Sequence, residues 1–92
     1  MTNFIVSYDL NGARPSHKEV DQLLEQLGAT RGRVLETVWY VGFWGTEQQL
    51  FDAIRSKLGR EDRLIVVRAS EAQWENPLLS DDSLATAWRK HR

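Results

Sequence analysis

Arg33-Val34-Leu35-Glu36-Thr37-Val38-Trp39-Tyr40-Val41-Gly42-Phe43-Trp44 decides the fold. Its β-branched and aromatic residues favour strand, but the run is too long for one strand of about five or six residues. It therefore reads as two short strands with a tight bend near Glu36 and Thr37.

Both flanks of this hairpin carry helical punctuation. Upstream, Pro15 precedes Ser16, Glu19 follows three residues later as a capping box, and Gly28 closes the far end, giving a helix over about 16 to 27. Val20, Leu23, Leu24 and Leu27 fall at i, i+3, i+4 and i+7, one apolar stripe, with Lys18, Glu19, Asp21, Gln22, Glu25 and Gln26 on the polar side. Downstream, Thr46 and Gln49 form a second capping box and Gly59 a terminator, so the second helix spans about 47 to 58. Its apolar side is Leu50, Phe51, Ile54 and Leu58.

The outermost core segments are strands. Asn3-Phe4-Ile5-Val6-Ser7-Tyr8-Asp9 is of buried type and runs into Leu10-Asn11-Gly12, where Asp and Asn satisfy local backbone groups and Gly supplies a positive φ. Arg63-Leu64-Ile65-Val66-Val67-Arg68 reads as a second buried strand with a charge at each end. The order is β-α-β-β-α-β. That is the ferredoxin-like split βαβ arrangement, an α+β fold in which a four-stranded antiparallel sheet carries two helices on one face.

The opposite face is then bare. Tyr8, Val38, Trp39, Tyr40, Phe43 and Trp44 are more apolar bulk than one helix layer needs, which predicts an apolar open face or edge. Residues 71 to 92 form a C-terminal extension: Trp74 in an acidic loop, then Asn76-Pro77, then a short helix capped by Ser80 whose Leu84, Ala87 and Trp88 are available for packing. This extension either covers the open face or reaches to a second subunit.

With 92 residues the chain is one domain, core about 3 to 70, of modest stability that dimerisation would raise. Apolar content of 41% with 27% charged residues is that of a folding chain. No apolar run reaches the roughly 20 residues of a membrane span, and the start lacks a secretion pattern, so the expected location is cytoplasmic, with no membrane partner. The absence of cysteine removes disulfides, thiolate zinc sites and cysteine nucleophiles. Twelve basic residues against thirteen acidic ones leave a net charge of -1, so nucleic acid would have to be held by a local patch rather than by bulk charge. Nine of those twelve are Arg, whose planar fork grips phosphate or carboxylate; genome composition and surface ion pairs explain the same count.

Tyr8-Asp9 at the end of the first strand, Arg33 through Trp39 after the first helix, and Asp62-Arg63-Leu64-Ile65-Val66-Val67 as the closing strand together resemble the small CRISPR-associated Cas-two proteins. They are closer still to the stand-alone relatives labelled SinR-like and to virulence-associated protein D. The likeness covers about residues 3 to 70. It implies a homodimer of ferredoxin-like subunits in which the strand-end aspartates, here Asp9, meet near the interface and share Mg²⁺ or Mn²⁺. It also carries over Tyr8, Arg33 and Trp39 as nucleic-acid-binding positions. The family's arginine just inside the first helix has no counterpart, since Ser16, His17 and Lys18 stand there and Arg14 lies in the loop. The family's C-terminal strand is absent as well.

Physically, one aspartate is a poor Mg²⁺ site, because that ion takes one or two carboxylates, waters and phosphate oxygens. A dimer axis would supply the second carboxylate, with Arg14 or Arg33 as an electrostatic clamp in a metal-dependent endoribonuclease. The plain alternative is that Asp9 caps a turn and Arg33 pairs with an exposed Glu. His17 lies in the first turn of a helix, where the dipole disfavours its charged form, and has no histidine at ligand spacing. Trp88-Arg89-Lys90-His91-Arg92 offers a stacking indole with basic neighbours, though cations at a helix C-terminus are explained by the macrodipole alone. Gly28, Gly32, Gly42 and Gly45 sit in no phosphate-loop pattern. Tyr40, Phe43 and Trp44 suit stacking on bases or simple packing.

Three functions from different classes follow. They are a metal-dependent endoribonuclease using Asp9, a non-catalytic dimeric adaptor on RNA or DNA, and a regulatory interaction module binding a protein or small ligand through the open sheet face.

Overall fold

The computed structural model describes residues 2–12, 14–28, 30–78 and 81–90, without the side chains of 81, 82 and 90. Its elements are β1 (Thr2–Asp9), α1 (His17–Leu27), β2 (Thr30–Leu35), β3 (Val38–Phe43), α2 (Glu47–Arg55), β4 (Arg63–Arg68) and α3 (Asp81–Lys90). The strands make one antiparallel sheet in the order β2-β3-β1-β4, an α+β architecture.

The hairpin bends at Glu36 and Thr37 as its sequence requires. Both capping boxes form: Glu19 N donates to Ser16 Oγ at 3.2 Å while Ser16 N donates to Glu19 Oε1 at 3.1 Å, and Thr46 and Gln49 repeat the exchange. Ser16 is thus the cap rather than the first helical residue. The second helix ends three residues early, because Lys57 N and Leu58 N reach back only three residues, to Ile54 O and Arg55 O, which tightens the last turn out of α geometry. Gly59 does not terminate it; its N–H donates to Asp62 Oδ2 at 2.7 Å. Gly28 ends α1 for a reason other than a left-handed turn. Its φ is -82°, but a Cβ there would lie 2.9 Å from Thr30 O and 3.1 Å from Val41 Cγ1, so glycine lets the chain turn tightly under the sheet. Gly12 likewise does not take a positive φ; Gly45 is the glycine that does, among the described residues.

Two cores lie on opposite faces of the sheet. On one, Phe4, Val6 and Tyr8 of β1 with Trp39 and Val41 of β3 bury against Val20 and Leu24 of α1 and Leu50 and Ile54 of α2, the alternation expected of strands facing helices. On the other, Val34 and Tyr40 bury against Leu84 and Trp88 of α3, with Ile5, Val38 and Trp74 at the margin. The face expected to be bare is therefore covered in part by the C-terminal extension. Asn3 and Tyr40 fasten it: Tyr40 donates to Asn3 Oδ1 at 2.6 Å, and Asn3 Nδ2 donates to Trp88 O at 2.9 Å. Trp88 Nε1 donates to Ser70 O at 2.8 Å. Ser80, read as the cap of this helix, lies outside the described residues.

α3 leaves Ile65 and Val67 of β4 exposed on this face. The second "buried" strand is in fact an edge strand, with Ile65 57% and Val67 43% exposed. An apolar run at every position of a strand indicates burial on both faces only if something covers both, and here one face is left open. Among the described residues no helix is long and apolar enough to cross a membrane.

Candidate functional site

Three of the five residues singled out from sequence converge. Tyr8 leaves β1 on the helix-covered face, and Arg33 of β2 stands opposite Trp39 of β3 on that same face. Tyr8 and Arg33 meet at Asp21 of α1, and Trp39 lies against Arg33. Tyr8 Oη donates to Asp21 Oδ1 at 2.7 Å, and the Arg33 guanidinium hydrogen-bonds Asp21 Oδ2 in an ion pair. The guanidinium carbon also lies 5.7 Å from the Trp39 ring centroid, a cation–π contact. His17 borders the cluster, its ring centroid 5.8 Å from that of Tyr8.

Electrostatically the cluster is closed. Burial first, then the hydrogen bond and negative charge of Asp21, push the Tyr8 phenol well above its ordinary pKa, against a smaller opposing pull from Arg33 and the Trp39 indole. Tyr8 is therefore a neutral donor, not a base or nucleophile. Arg33 Nε and Trp39 Nε1 are buried without a hydrogen-bond partner, sealed beneath the ion pair. Arg33 pairs with a half-buried aspartate rather than an exposed glutamate, which ties α1 to β1 and β2 and leaves its charge largely spent within the subunit.

Asp9 and Arg14 stand apart from this cluster. Asp9 ends β1 on the opposite face from Tyr8, exposed and in register with Arg63. It does not cap the following turn. That role falls to Asp62, whose Oδ1 accepts from Asn11 N at 2.8 Å while Asn11 Nδ2 donates to Glu61 O at 2.8 Å. Backbone N–H groups of Asn11 and then Gly59 hold the Asp62 carboxyl below its usual range. Among the described residues, neither a hydrogen bond nor an ion pair engages the Asp9 carboxylate, and no three acidic or histidine side chains group as metal ligands. Asp9 by itself is one carboxylate, fewer ligands than Mg²⁺ or Mn²⁺ takes. Arg14 is exposed in the loop before α1.

The stacking candidates divide. Tyr40 is sealed under α3 and Trp88 is 4% exposed, so neither offers a face to a base, while Phe43 is partly buried in an edge-type pair with Phe4, centroids 6.2 Å apart. Trp44 is 73% exposed. Residues 91 and 92 of the basic run lie outside the described residues.

What the apolar surplus does build is a cleft on the α3 side, about 380 Å³, between the sheet and the segment after β4. Ile5, Val34 and Val38 line its sheet side, Leu84 and Trp88 its α3 side, and Trp74 the segment's side. Ile65 and Val67 lie on this same sheet face, opposite Ser7 and Ile5. Sequence reasoning missed Asp21 and Asp62. Asp21 has one local signal: it flanks the apolar stripe of α1, three residues before Leu24, where a helical carboxylate sits at the edge of the core.

No family model, curated protein or solved structure matches this chain.

Proposed function

We propose that the chain is a ferredoxin-like subunit of a homodimer and works as a non-catalytic interaction module, engaging a protein or small ligand through the uncovered part of the sheet face opposite α1 and α2. The strand order β2-β3-β1-β4, with α1 and α2 packed on one face, supports the ferredoxin-like reading. The binding reading is carried by one observation. Tyr8 and Arg33, expected to contact nucleic acid, are engaged by Asp21 inside the subunit, while Ile65 and Val67 stand exposed beside an apolar cleft. Exposed apolar surface next to such a cleft favours a partner. The net charge of -1 gives nucleic acid no general attraction.

A second reading, a Cas-two-like nucleic-acid-associated dimer with metal-dependent endoribonuclease activity, is favoured by the Asp9 carboxylate, which alone of the candidate site acids is exposed and unengaged. It requires a second carboxylate from the other subunit.

Incubation of the purified protein with labelled RNA and DNA, in Mg²⁺, Mn²⁺ or chelator, decides between them, with Asp9→Ala in parallel. The interaction module predicts no cleavage and no saturable nucleic-acid binding at low salt. Metal-dependent cleavage lost in Asp9→Ala would reverse the order of the two readings.

A further inference from the structure

The two edges of the sheet are finished differently. β2 has an irregular register between Arg33 and Leu35, and the segment after β4 returns to it, Leu78 N donating to Val34 O at 2.8 Å. A bulge and a covering segment are two of the devices that keep an edge from recruiting another strand. β4 has neither. It pairs without interruption from Arg63 to Arg68, contains no proline, and keeps its charges at its two ends.

One bond fixes which of its backbone groups are free. Ala69 N donates to Asn3 O at 3.0 Å, continuing the ladder with β1. Backbone direction alternates along a strand, so Arg63, Ile65 and Val67 turn their N–H and C=O groups toward β1. Leu64, Val66 and Arg68 turn theirs outward, where no hydrogen bond reaches them among the described residues.

We infer that this edge is the docking surface for a second copy of the chain, β4 pairing antiparallel with β4 about a twofold axis at Val66, so that two sheets run on as one. The inference rests on the homodimer of the preceding reading and specifies its interface. The register follows from the residues. A twofold axis normal to the sheet keeps each face on its own side, which requires opposed residues to share a face, and hydrogen-bonded pairs must both be outward-facing. Two registers with large overlap satisfy this. With Ile65 opposite Ile65, Arg68 meets Asp62, whose N–H is already given to Gly59 O, so part of the ladder stays open. With Val66 opposite Val66, Leu64 meets Arg68 and every outward N–H and C=O finds a partner. The same register sets Ile65 of each copy against Val67 of the other, a β-branched cross-strand pair at the two bare positions. It also sets Arg63 against Ala69, not against another arginine.

A consequence separates this dimer from a shared-metal one. At a rise of about 3.3 Å per residue and a strand spacing of about 4.8 Å, the two Asp9 residues would lie roughly 25 Å apart, too far to share a cation.

The mass of the full chain in solution, by size exclusion with light scattering, tests the inference through two double variants at exposed positions. The unaltered chain is expected at twice 10.6 kDa. Ile65→Lys with Val67→Glu sets opposite charges across the interface and keeps the dimer; Ile65→Lys with Val67→Lys sets like charges and raises the dissociation constant at least tenfold. Arg68→Pro removes an outward N–H at the strand end, which a monomeric edge strand tolerates, and weakens the dimer likewise. If the lysine variants fail to fold by circular dichroism, Arg68→Pro decides alone. A monomeric unaltered chain overturns the inference, as does equal behaviour of the two double variants or a full-strength Arg68→Pro dimer. A monomeric unaltered chain would also remove the homodimer of the preceding reading, whereas a dimer indifferent to these substitutions overturns this interface alone, and the cleavage assay reads the non-catalytic assignment separately.

Discussion

Tyr8 of β1 donates its phenolic hydrogen to Asp21 of α1 at 2.7 Å, and the same carboxylate pairs with Arg33. One acidic side chain thereby closes the first helix onto both strands that flank it in sequence. Removing it strands two donors. Asp21→Ala is expected to cost about 2 kcal/mol, less than a fully buried pair because Arg33 is 36% exposed. Asp21→Asn keeps an acceptor for Tyr8 and should cost about half of that. Urea midpoints at unchanged m-value measure both; a change within about 0.5 kcal/mol for the alanine variant would class Asp21 with ordinary surface positions.

The two tyrosines set an alkaline limit. Burial raises the pKa of Tyr40 as it does that of Tyr8, and these are the only tyrosines of the chain. A raised folded pKa means that the native state holds its proton after the unfolded state has lost it. The stabilisation is thus complete below about pH 10, the unfolded value, and drains as pH rises above it. Each phenol steepens the loss by up to about 1.4 kcal/mol per pH unit. The ultraviolet signal of phenolate should accordingly appear together with unfolding. Phenolate titrating near pH 10 in a chain whose far-ultraviolet dichroism is intact would show that the rings are solvated.

α3 is held by a large ring and a small polar pair, and the two can be separated. Trp88→Ala removes a buried indole and is expected to cost about 3 kcal/mol or more. Tyr40→Phe leaves the ring in place but deprives Asn3 Oδ1 of its donor, for about 1 to 2 kcal/mol. If α3 were only loosely laid on the sheet, both variants would match the unaltered chain in denaturation and differ from it only in how fast protease cuts the segment 69–78.

These assignments mark where the sequence speaks and where it does not. Ser16 with Glu19, Thr46 with Gln49, and the bend at Glu36 and Thr37 are settled by neighbours within a few residues, so their chemistry is written locally. Asp21 meets Tyr8 from 13 residues away and Arg33 from 12. On a helical wheel it counts among the polar residues, and only packing shows that it points at two strands. Leu64 to Val67 reads as fully buried because every position is apolar, yet strand order places β4 at an edge, where Ile65 and Val67 stand exposed. Asn3 and Trp88 are 85 residues apart, and nothing in either segment announces the other. Of the residues named for the candidate site, Tyr8, Arg33 and Trp39 do gather, but around an aspartate no motif marked, while Asp9 faces the opposite side.

Gly45 offers the sharpest local test of how α2 begins. Its φ is +157°, and a Cβ there would fall 2.5 Å from Gln49 Oε1 and 2.6 Å from Phe43 Cε2. That same oxygen accepts from Thr46 N at 2.9 Å in the capping box. The Gln49 side chain can swing aside, but doing so opens half of the box, and the Phe43 ring is held against Phe4. Lost capping of about 1 kcal/mol and backbone strain of similar size give about 2 kcal/mol for Gly45→Ala. Gly12→Ala is the control: the nearest heavy atom to its Cβ is Arg14 O at 3.6 Å and its φ is not positive. That substitution should be neutral or stabilise by up to about 1 kcal/mol, through the lower entropy of the unfolded chain. Thermal or urea unfolding of the pair reads the difference directly, and equal shifts for the two would mean that the turn before α2 does not require glycine.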